Sequence, residues 1–367
     1  MKYKYLLFYL FMAIIFFGLS SSTSSDELFN QIYLKPLHNA SAQYEKNSVI
    51  PVSKEEHIRQ KIREYLISNH VNGSIAAVKN NKRFFSEGVG YSDIFNRTLN
   101  SQYTTFPIAS ITKTIVAVCI LQLQESGKLT IQDPVSKYVS NLPKNIKIVH
   151  LLNHTSGIQP PIWHIGDKEP RDIIKKAAKR AGKFPAGTKW DYNDINYLVL
   201  GYIVEKVTGT TLHEYIEKNI FNKSSMVNAG FITPENIVPF TSKGYIKLAE
   251  RLINSSKLNP YLLFGCGDIY ATALDLCLFD EALMNGKLLK NQSLKEMVTP
   301  GPKSSYGLGV YHSGDRVYSR GVVGGWESLH VYFKDKTSIV VLLNVRDKER
   351  DIKKVAADIY GIINEKH

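Results

Sequence analysis

Hydrophobic and polar positions alternate with different periods along the chain, and the changes of period predict its secondary structure. From Glu55, apolar residues such as Ile58 and Ile62 recur as they do on one face of a helix. Two apolar or alternating runs, 73–78 and 83–91, then flank a polar break and predict a β-hairpin. The N-terminal part of the folded chain is therefore expected to contain a helix followed by paired strands.

The middle of the chain has mainly helical periodicity. An apolar run over 110–127 ends at a glycine and predicts a long helix. Residues 147–220 indicate further helices broken at prolines and glycines, and 268–289 predict another helix. The tail returns to strands and closes with a helix, at 330–333, 338–343 and 350–363. Strands at both ends with helices between them favour one sheet built from both ends of the chain, with an inserted helical lobe.

The first residues have the pattern of an export signal. Lys2 and Lys4 precede an apolar run over 6–19 that gives way to small residues. A membrane-spanning helix needs roughly 20 apolar residues, and this run is shorter. Residues 1–25 are therefore predicted to be a signal peptide, with an N-terminal membrane anchor as the open alternative. Residues 26–54 are polar and without a sustained period, which predicts a linker.

Composition and charge narrow the class of protein. Of 367 residues, 44% are hydrophobic and 22% are charged, which is ordinary for a globular protein and excludes a disordered or fibrous chain. The 46 Lys and Arg against 33 Asp and Glu give a net charge of +13, which favours contact with polyanions. An exported protein rarely meets nucleic acid, so we expect an anionic wall polymer or a membrane surface as the partner.

The candidate chemistry centres on Ser110 and Lys113, at the start of the helix predicted from 110. Residues three apart share one helix face, so the hydroxyl and the amine can meet. A serine hydroxyl needs a neighbouring base, and a lysine can serve if its pKa is lowered. The spacing alone is common, and it is also compatible with a serine cap followed by a solvated lysine. Neither the histidines nor the cysteines have metal-ligand spacing, so we expect no metal or cofactor.

Further motifs decide between these interpretations. Two motifs follow Ser110: the phrase Leu-Leu-Asn-His-Thr-Ser-Gly at 151–157 and the triplet Tyr-Asn-Asp at 192–194. This order is typical of class C β-lactamase-like serine hydrolases and penicillin-binding proteins. The chain resembles this family over about 55–365. Other segments carry the same resemblance: 106–113, 123–129, 133–138, 185–187, 196–201, 205–209, 272–276 and 306–309.

This resemblance implies a fold and an activity. The expected fold is of the mixed α/β (α+β) class, β-lactamase/transpeptidase-like, with an antiparallel sheet from both chain ends and flanking helices. Residues 55–366 would form this domain, and an all-helical lobe at about 115–220 would enclose a cleft with the sheet. The resemblance makes Ser110 the nucleophile and Lys113 its base, and it makes Tyr192 the second catalytic residue, which relays a proton to the leaving group.

Two positions depart from the family pattern. Asp194 stands where the family usually has Asn, and an ionised Asp can only accept hydrogen bonds. It therefore suits a cation, which is either the Lys113 ammonium or a positive substrate. The family's Lys- or His-x-Gly motif corresponds best to Ser319, Arg320 and Gly321, so the usual carboxylate-binding cation is missing. Arg320 would replace it only if the register shifted by one, although neighbouring strand residues face opposite ways. The resemblance also places an oxyanion donor at the backbone N–H of Val322.

Within the family, the Tyr-Asn-Asp form at 192–194 and the Asn-Tyr-Leu-Val-Leu run at 196–200 resemble the FmtA-like branch, which acts on D-alanine esters of teichoic acids. The two departures fit the chemistry of such a substrate. Such an ester has a free ammonium for Asp194 and no terminal carboxylate. We therefore expect an exported hydrolase at the cell membrane or wall, acting on D-alanyl groups of the cell envelope. The alternatives are a D-alanyl-D-alanine carboxypeptidase, a β-lactamase, a broad carboxylesterase, or a catalytically weak protein that binds penicillin or wall polymer.

Overall fold

The computed structural model describes residues 53–160, 169–180, 182–249, 251–255 and 257–365. The predicted export segment 1–25 and most of the predicted linker lie outside the described residues. In the part of the chain that is described, none of the helices combines the length and the apolar character needed to cross a membrane.

The described residues form strands and helices in alternating groups. In chain order the strands are β1 Gly73–Lys79, β2 Lys82–Val89, β3 Tyr91–Asp93, β4 Thr98–Leu99, β5 Phe106–Pro107, β6 Gly230–Phe231, β7 Tyr245–Leu248, β8 Arg251–Asn254, β9 Ile269–Ala271, β10 Tyr311–Ser313, β11 Arg316–Val323, β12 Trp326–Phe333, β13 Thr337–Leu343 and β14 Val345–Arg346. The α-helices are α1 Lys54–Ser68, α2 Thr112–Glu125, α3 Ile148–Leu152, α4 Pro170–Ala178, α5 Ile195–Thr208, α6 Leu212–Ile216, α7 Asn222–Ser224, α8 Pro260–Leu263, α9 Ala273–Met284, α10 Asn291–Val298 and α11 Ile352–Ile363.

The main sheet joins the two ends of the folded chain. Its six strands have the order β10-β11-β12-β13-β1-β2, and all neighbours are antiparallel. The N-terminal hairpin is completed by the C-terminal strands, because β1 pairs with β13 from Gly73 opposite Leu343 to Lys79 opposite Thr337. The predicted fold class, with an antiparallel sheet from both chain ends, is confirmed.

Both faces of this sheet are covered by helices, which explains why its central strands read as continuous apolar runs. Every residue of β12 and β13 is buried. On one face, α1 and α11 pack their apolar sides against alternate strand residues, including Leu329 and Val341. On the other face, Val340 and Leu342 join the larger core that contains α2, α5 and α9. This second face carries the residues discussed below.

Some local predictions need correction. Residues 268–289 were expected to form one helix, but β9 occupies Ile269–Ala271 and the helix begins only at Ala273. Short apolar runs do not distinguish a buried strand from a helix, and here pairing with β5 decides for the strand. The helix predicted from 110 begins at Thr112, because Ala109–Ile111 form a 3₁₀ turn before it.

Candidate active site

Ser110 lies in the 3₁₀ turn that precedes α2, and this turn is tied to the main sheet. The backbone of Ala109 is left-handed, with φ of 48°, a conformation that is uncommon for residues other than glycine. Directly before it, the carbonyl of Ile108 accepts a hydrogen bond from Ser328 Oγ on β12 at 2.7 Å. The sharp turn and the tie to β12 together fix where the Ser110 hydroxyl lies.

Lys113 is fully buried one turn after Ser110 and has three polar partners. Its Nζ donates to Ser110 Oγ at 3.0 Å and to the backbone carbonyl of Cys266 at 2.8 Å. The third partner is Asp194, whose Oδ1 lies 2.8 Å from the same nitrogen. An ammonium has three N–H donors, so these three acceptors match it completely.

The electrostatics of this cluster determine the charge of Lys113. Burial by itself lowers the pKa of Lys113, but the nearby Tyr192 and Asp194 outweigh it and raise the pKa above its usual value. The carboxylate at 2.8 Å is the physical cause that stabilises the charged form. The ion pair with Asp194 therefore favours the ammonium form of Lys113 in this arrangement.

Tyr192 joins the same cluster from the segment before α5. Its ring centroid lies 5.2 Å from Lys113 Nζ. The ring packs against His154 with a centroid distance of 4.3 Å and lies edge-on to Tyr306 at 6.2 Å. The residue keeps 36% of its surface exposed, so it is accessible to solvent. The structure therefore brings Ser110, Lys113 and Tyr192 together, as predicted for the family.

Asp194 directly precedes α5 at its N-terminus. Its side chain makes no capping hydrogen bond to that helix, so the carboxylate is not occupied by the backbone. While Lys113 is 1% exposed, the Asp194 side chain is 57% exposed. One end of the carboxyl group therefore neutralises the buried lysine, and the remaining surface is open to an incoming cation.

The third motif lies on β11 with its side chains directed as strand geometry requires. Ser319 is buried, and its Oγ lies 2.8 Å from Thr114 Oγ1 and 3.2 Å from the Gly309 carbonyl. Arg320 faces the opposite side of β11, where it forms an ion pair with Glu327 at 2.5 Å. Neither residue supplies the cation that the family pattern has at this motif.

Gly321 and Val322 bring the β11 backbone next to the nucleophile turn. A Cβ at Gly321 would lie 2.3 Å from the Ile108 carbonyl oxygen, so a larger residue would push the turn away. Strand β10 pairs only with the first three residues of β11, which leaves 319–323 beyond its end. The role of the Val322 backbone N–H as an oxyanion donor stays a prediction.

The sequence analysis missed two contributors to this site. The Cys266 carbonyl is a backbone atom, so no residue type indicates that it binds Lys113. The second contributor is His154, which the sequence indicated only as a member of the motif at 151–157. Residue 154 makes three contacts with residues 191–193, which are far from it in the sequence. Only the folded structure shows that the two segments are adjacent.

Comparison with known proteins agrees with this geometry. The family model described as Beta-lactamase matches residues 58–360, and the chain belongs to this family of hydrolases. It is 36% identical over 313 residues to penicillin-binding protein PbpX of Bacillus subtilis, which covers 83% of this chain and 78% of that protein. It is 30% identical over 365 residues to the teichoic acid D-alanine hydrolase of Staphylococcus aureus, which covers 95% and 91%.

A solved structure has the same architecture. The crystal structure of FmtA from Staphylococcus aureus superposes with a TM-score of 0.77 at 27% identity, and the match covers 85% of this chain and 90% of that one. The fold and the hydrolase class of the chain are therefore established.

Proposed function

We propose that this protein is an exported esterase that removes D-alanine from teichoic acid through an acyl-Ser110 intermediate. The observation that carries this proposal is the exposed Asp194 carboxylate beside Lys113, combined with a third motif that offers no cation. A site of this kind suits a substrate with a free ammonium and no carboxylate. The name of the Staphylococcus aureus relative, teichoic acid D-alanine hydrolase, supports the same substrate class.

In the proposed reaction, the Ser110 Oγ attacks the ester carbonyl while Lys113 accepts its proton. The backbone N–H groups of Ser110 and Val322 hold the tetrahedral oxyanion. The intermediate then expels the polyol oxygen, which Tyr192 protonates as it leaves. Water attacks the acyl-enzyme and gives a proton to the Tyr192 phenolate. The second tetrahedral intermediate then collapses, D-alanine is released, and Lys113 returns its proton to Ser110.

Asp194 links substrate binding to this proton transfer. In the free protein it holds Lys113 as an ammonium. A D-alanyl ammonium that reaches the exposed side of Asp194 shares the carboxylate and weakens its stabilisation of charged Lys113. The pKa of Lys113 then falls towards the value that burial favours. Binding of the cationic substrate would therefore activate its own general base.

Basic residues near the cleft favour a polyanionic substrate. A run of cations occupies and follows α4, and Lys183 pairs with Asp191, the residue before Tyr192. Within the same run, Lys175 pairs with Asp172. We propose that the phosphates of the polymer contact this surface, whose members are Arg171, Lys175, Lys176, Lys179, Arg180 and Lys183.

Salt is expected to weaken hydrolysis of the polymer more than hydrolysis of a small ester. Exposed charges are screened over about 8 Å at physiological ionic strength, and each phosphate contact adds to the effect. We expect kcat/KM for teichoic acid to fall at least about tenfold between low and high salt, with less than about a twofold change for a neutral small ester. Equal sensitivity of the two substrates would remove the basic surface from the proposal.

A panel of three substrates tests the proposed function. Release of D-alanine from purified teichoic acid is measured beside cleavage of a D-Ala-D-Ala peptide and of a chromogenic cephalosporin. The proposal expects the ester to be the best substrate. A dominant peptide or cephalosporin activity would instead support the carboxypeptidase or β-lactamase alternative, for which the match to a penicillin-binding protein is the specific observation. Binding of all three without turnover would support a binding protein.

The proposed location of the enzyme is the cell envelope. The predicted signal or anchor at 1–25 would place the enzyme outside the cytoplasm, where teichoic acid is found. The names of the relatives, which refer to penicillin binding and teichoic acid, support a cell-envelope location. Detection of the protein in the wall, membrane and culture fractions would test this assignment.

A further inference from the structure

His154 is buried beside the cleft and holds the backbone on both sides of Tyr192. Its own carbonyl accepts the N–H of Asp191 at 2.9 Å. Its ring nitrogen Nδ1 accepts the N–H of Asn193 at 3.2 Å. Because Asp191 and Asn193 directly precede and follow Tyr192, one residue fixes the chain at both neighbours of the predicted proton relay.

The hydrogen bond from Asn193 determines which ring nitrogen of His154 carries the proton. A backbone N–H can only donate, so Nδ1 must be unprotonated. Asn196 Nδ2 also lies 3.0 Å from Nδ1, while Asn196 Oδ1 accepts from Ser156 Oγ at 2.6 Å, which orients the amide to donate towards His154. The imidazole is therefore neutral, with its proton on Nε2.

The imidazole ring also supports the Tyr192 ring directly. The two ring centroids are 4.3 Å apart, and the rings of Tyr306 and Tyr197 lie 4.9 Å and 5.3 Å from His154. Burial and the positive charge of Lys113 hold the pKa of His154 well below its usual value. A second cation beside Lys113 is thereby avoided, and the Nδ1 acceptor is preserved.

We propose that His154 is a positioning residue for Tyr192: a neutral imidazole that fixes the backbone at 191 and 193 and supports the phenol ring from one face. This inference rests on the proposed role of Tyr192 as the proton donor to the leaving group. It assigns to the histidine of the Leu-Leu-Asn-His-Thr-Ser-Gly motif a function in the reaction, through Tyr192 and without contact with the substrate.

The dependence on the leaving group tests this proposal. An alkyl D-alanyl ester needs a proton on its departing oxygen, whereas a nitrophenyl D-alanyl ester has a leaving group that departs as an anion. His154→Asn removes the imidazole while Asn tolerates the left-handed backbone, φ 57°, found at this position. We expect its single-turnover acylation rate to fall at least tenfold on the alkyl ester and less than threefold on the nitrophenyl ester.

Controls separate the possible outcomes. Rates are normalised to the fraction of Ser110 labelled by a fluorophosphonate, so the rate of the folded fraction is obtained even when a variant is partly unfolded. His154→Gln provides a second test. His150→Asn is the matched control, because the His150 Nδ1 also accepts a backbone N–H, at 3.1 Å. This N–H belongs to Lys147, which is not a neighbour of Tyr192 in the chain. It should change neither rate more than twofold.

Equal loss on both esters, or no loss on either, would overturn the positioning role of His154. Tyr192→Phe should repeat the leaving-group dependence. If Tyr192→Phe retains full activity on the alkyl ester, the relay in the proposed function fails, whatever the His154 variants show. If Tyr192→Phe shows the dependence and His154→Asn does not, only the inference about His154 fails.

Discussion

Ser110→Ala is expected to abolish acyl-enzyme formation and reduce turnover to less than a few per cent of the wild-type value, while the protein remains folded. The hydroxyl is the proposed nucleophile, and the alanine side chain has no atom that can form the covalent bond. The fold should tolerate the change, since the N-cap of α2 is Ile111 and has no side-chain cap. Lys113 loses one partner and keeps Cys266 and Asp194, a loss of about 1.5–3 kcal/mol for a hydrogen bond from a charged group.

Intact-protein mass spectrometry after fluorophosphonate treatment measures this effect, together with thermal unfolding. Ser126→Ala is a suitable control, because Ser126 lies just after the other end of α2 and its hydroxyl donates to the local backbone carbonyl of Leu123. The control should label and turn over as the wild type does. Labelling of Ser110→Ala, or retention of more than a few per cent of turnover, would show that the nucleophile is elsewhere.

Lys113→Ala is expected to lower kcat/KM by at least about a thousandfold, because removal of a general base alone costs about 10²–10⁴ and coupled residues cost more. Lys113→Arg should not restore activity, since a guanidinium does not lose its proton in this pH range. The raised pKa of Lys113 also predicts a pH dependence. Because the deprotonated fraction of Lys113 increases with pH, kcat/KM for a neutral ester should rise as the solution becomes more basic.

Kinetics at several pH values, with melting curves, check both Lys113 variants. Lys206→Ala is the matched control, because Lys206 is an exposed helical lysine whose Nζ also lies over a tyrosine ring, 5.3 Å from the centroid of Tyr202. It should have wild-type rates. An active Lys113→Arg variant would indicate that the residue supplies charge and does not accept a proton.

The contact between Ser110 and Lys113 follows from sequence because it is local. Residues at i and i+3 in helical geometry are neighbours whatever the rest of the fold does, and the observed separation of Oγ and Nζ is 3.0 Å. The strand periodicity of β11 similarly predicted that Ser319 and Arg320 face opposite ways. Local geometry therefore accounts for these two features, whereas Tyr192 was predicted to lie in the site through the family resemblance.

The remaining features depend on tertiary packing. The carbonyl of Cys266 and the left-handed Ala109 have no signal in residue type, because one is a backbone atom and the other an ordinary small residue. Glu327 pairs with Arg320 only because β11 and β12 place them together. Likewise, the apolar segment 269–271 becomes a strand only through its pairing with β5.

Asp194 was predicted in part from the sequence and in part depends on tertiary packing. Its residue type indicated that it would bind a cation, and two candidates were left open, Lys113 and the substrate. The structure shows the contact with Lys113 at 2.8 Å and leaves more than half of the side chain exposed. The sequence identified the chemistry of the residue, but only the fold reveals that the carboxylate pairs with Lys113 and still remains exposed.

The central claim, that Asp194 receives the ammonium of an aminoacyl ester, is tested most directly by one ratio. It compares kcat/KM for a D-alanyl ester with its amine free and with its amine acetylated, in the wild type and in Asp194→Asn. A charge-assisted contact contributes about 1.5–3 kcal/mol, so we expect the preference for the free amine to fall by roughly ten- to a hundredfold. The acetylated ester should be hydrolysed as well as before or better, because loss of the carboxylate lowers the pKa of Lys113. An unchanged ratio, with both esters affected by the same factor, would contradict the account and leave Asp194 as a partner of Lys113 alone.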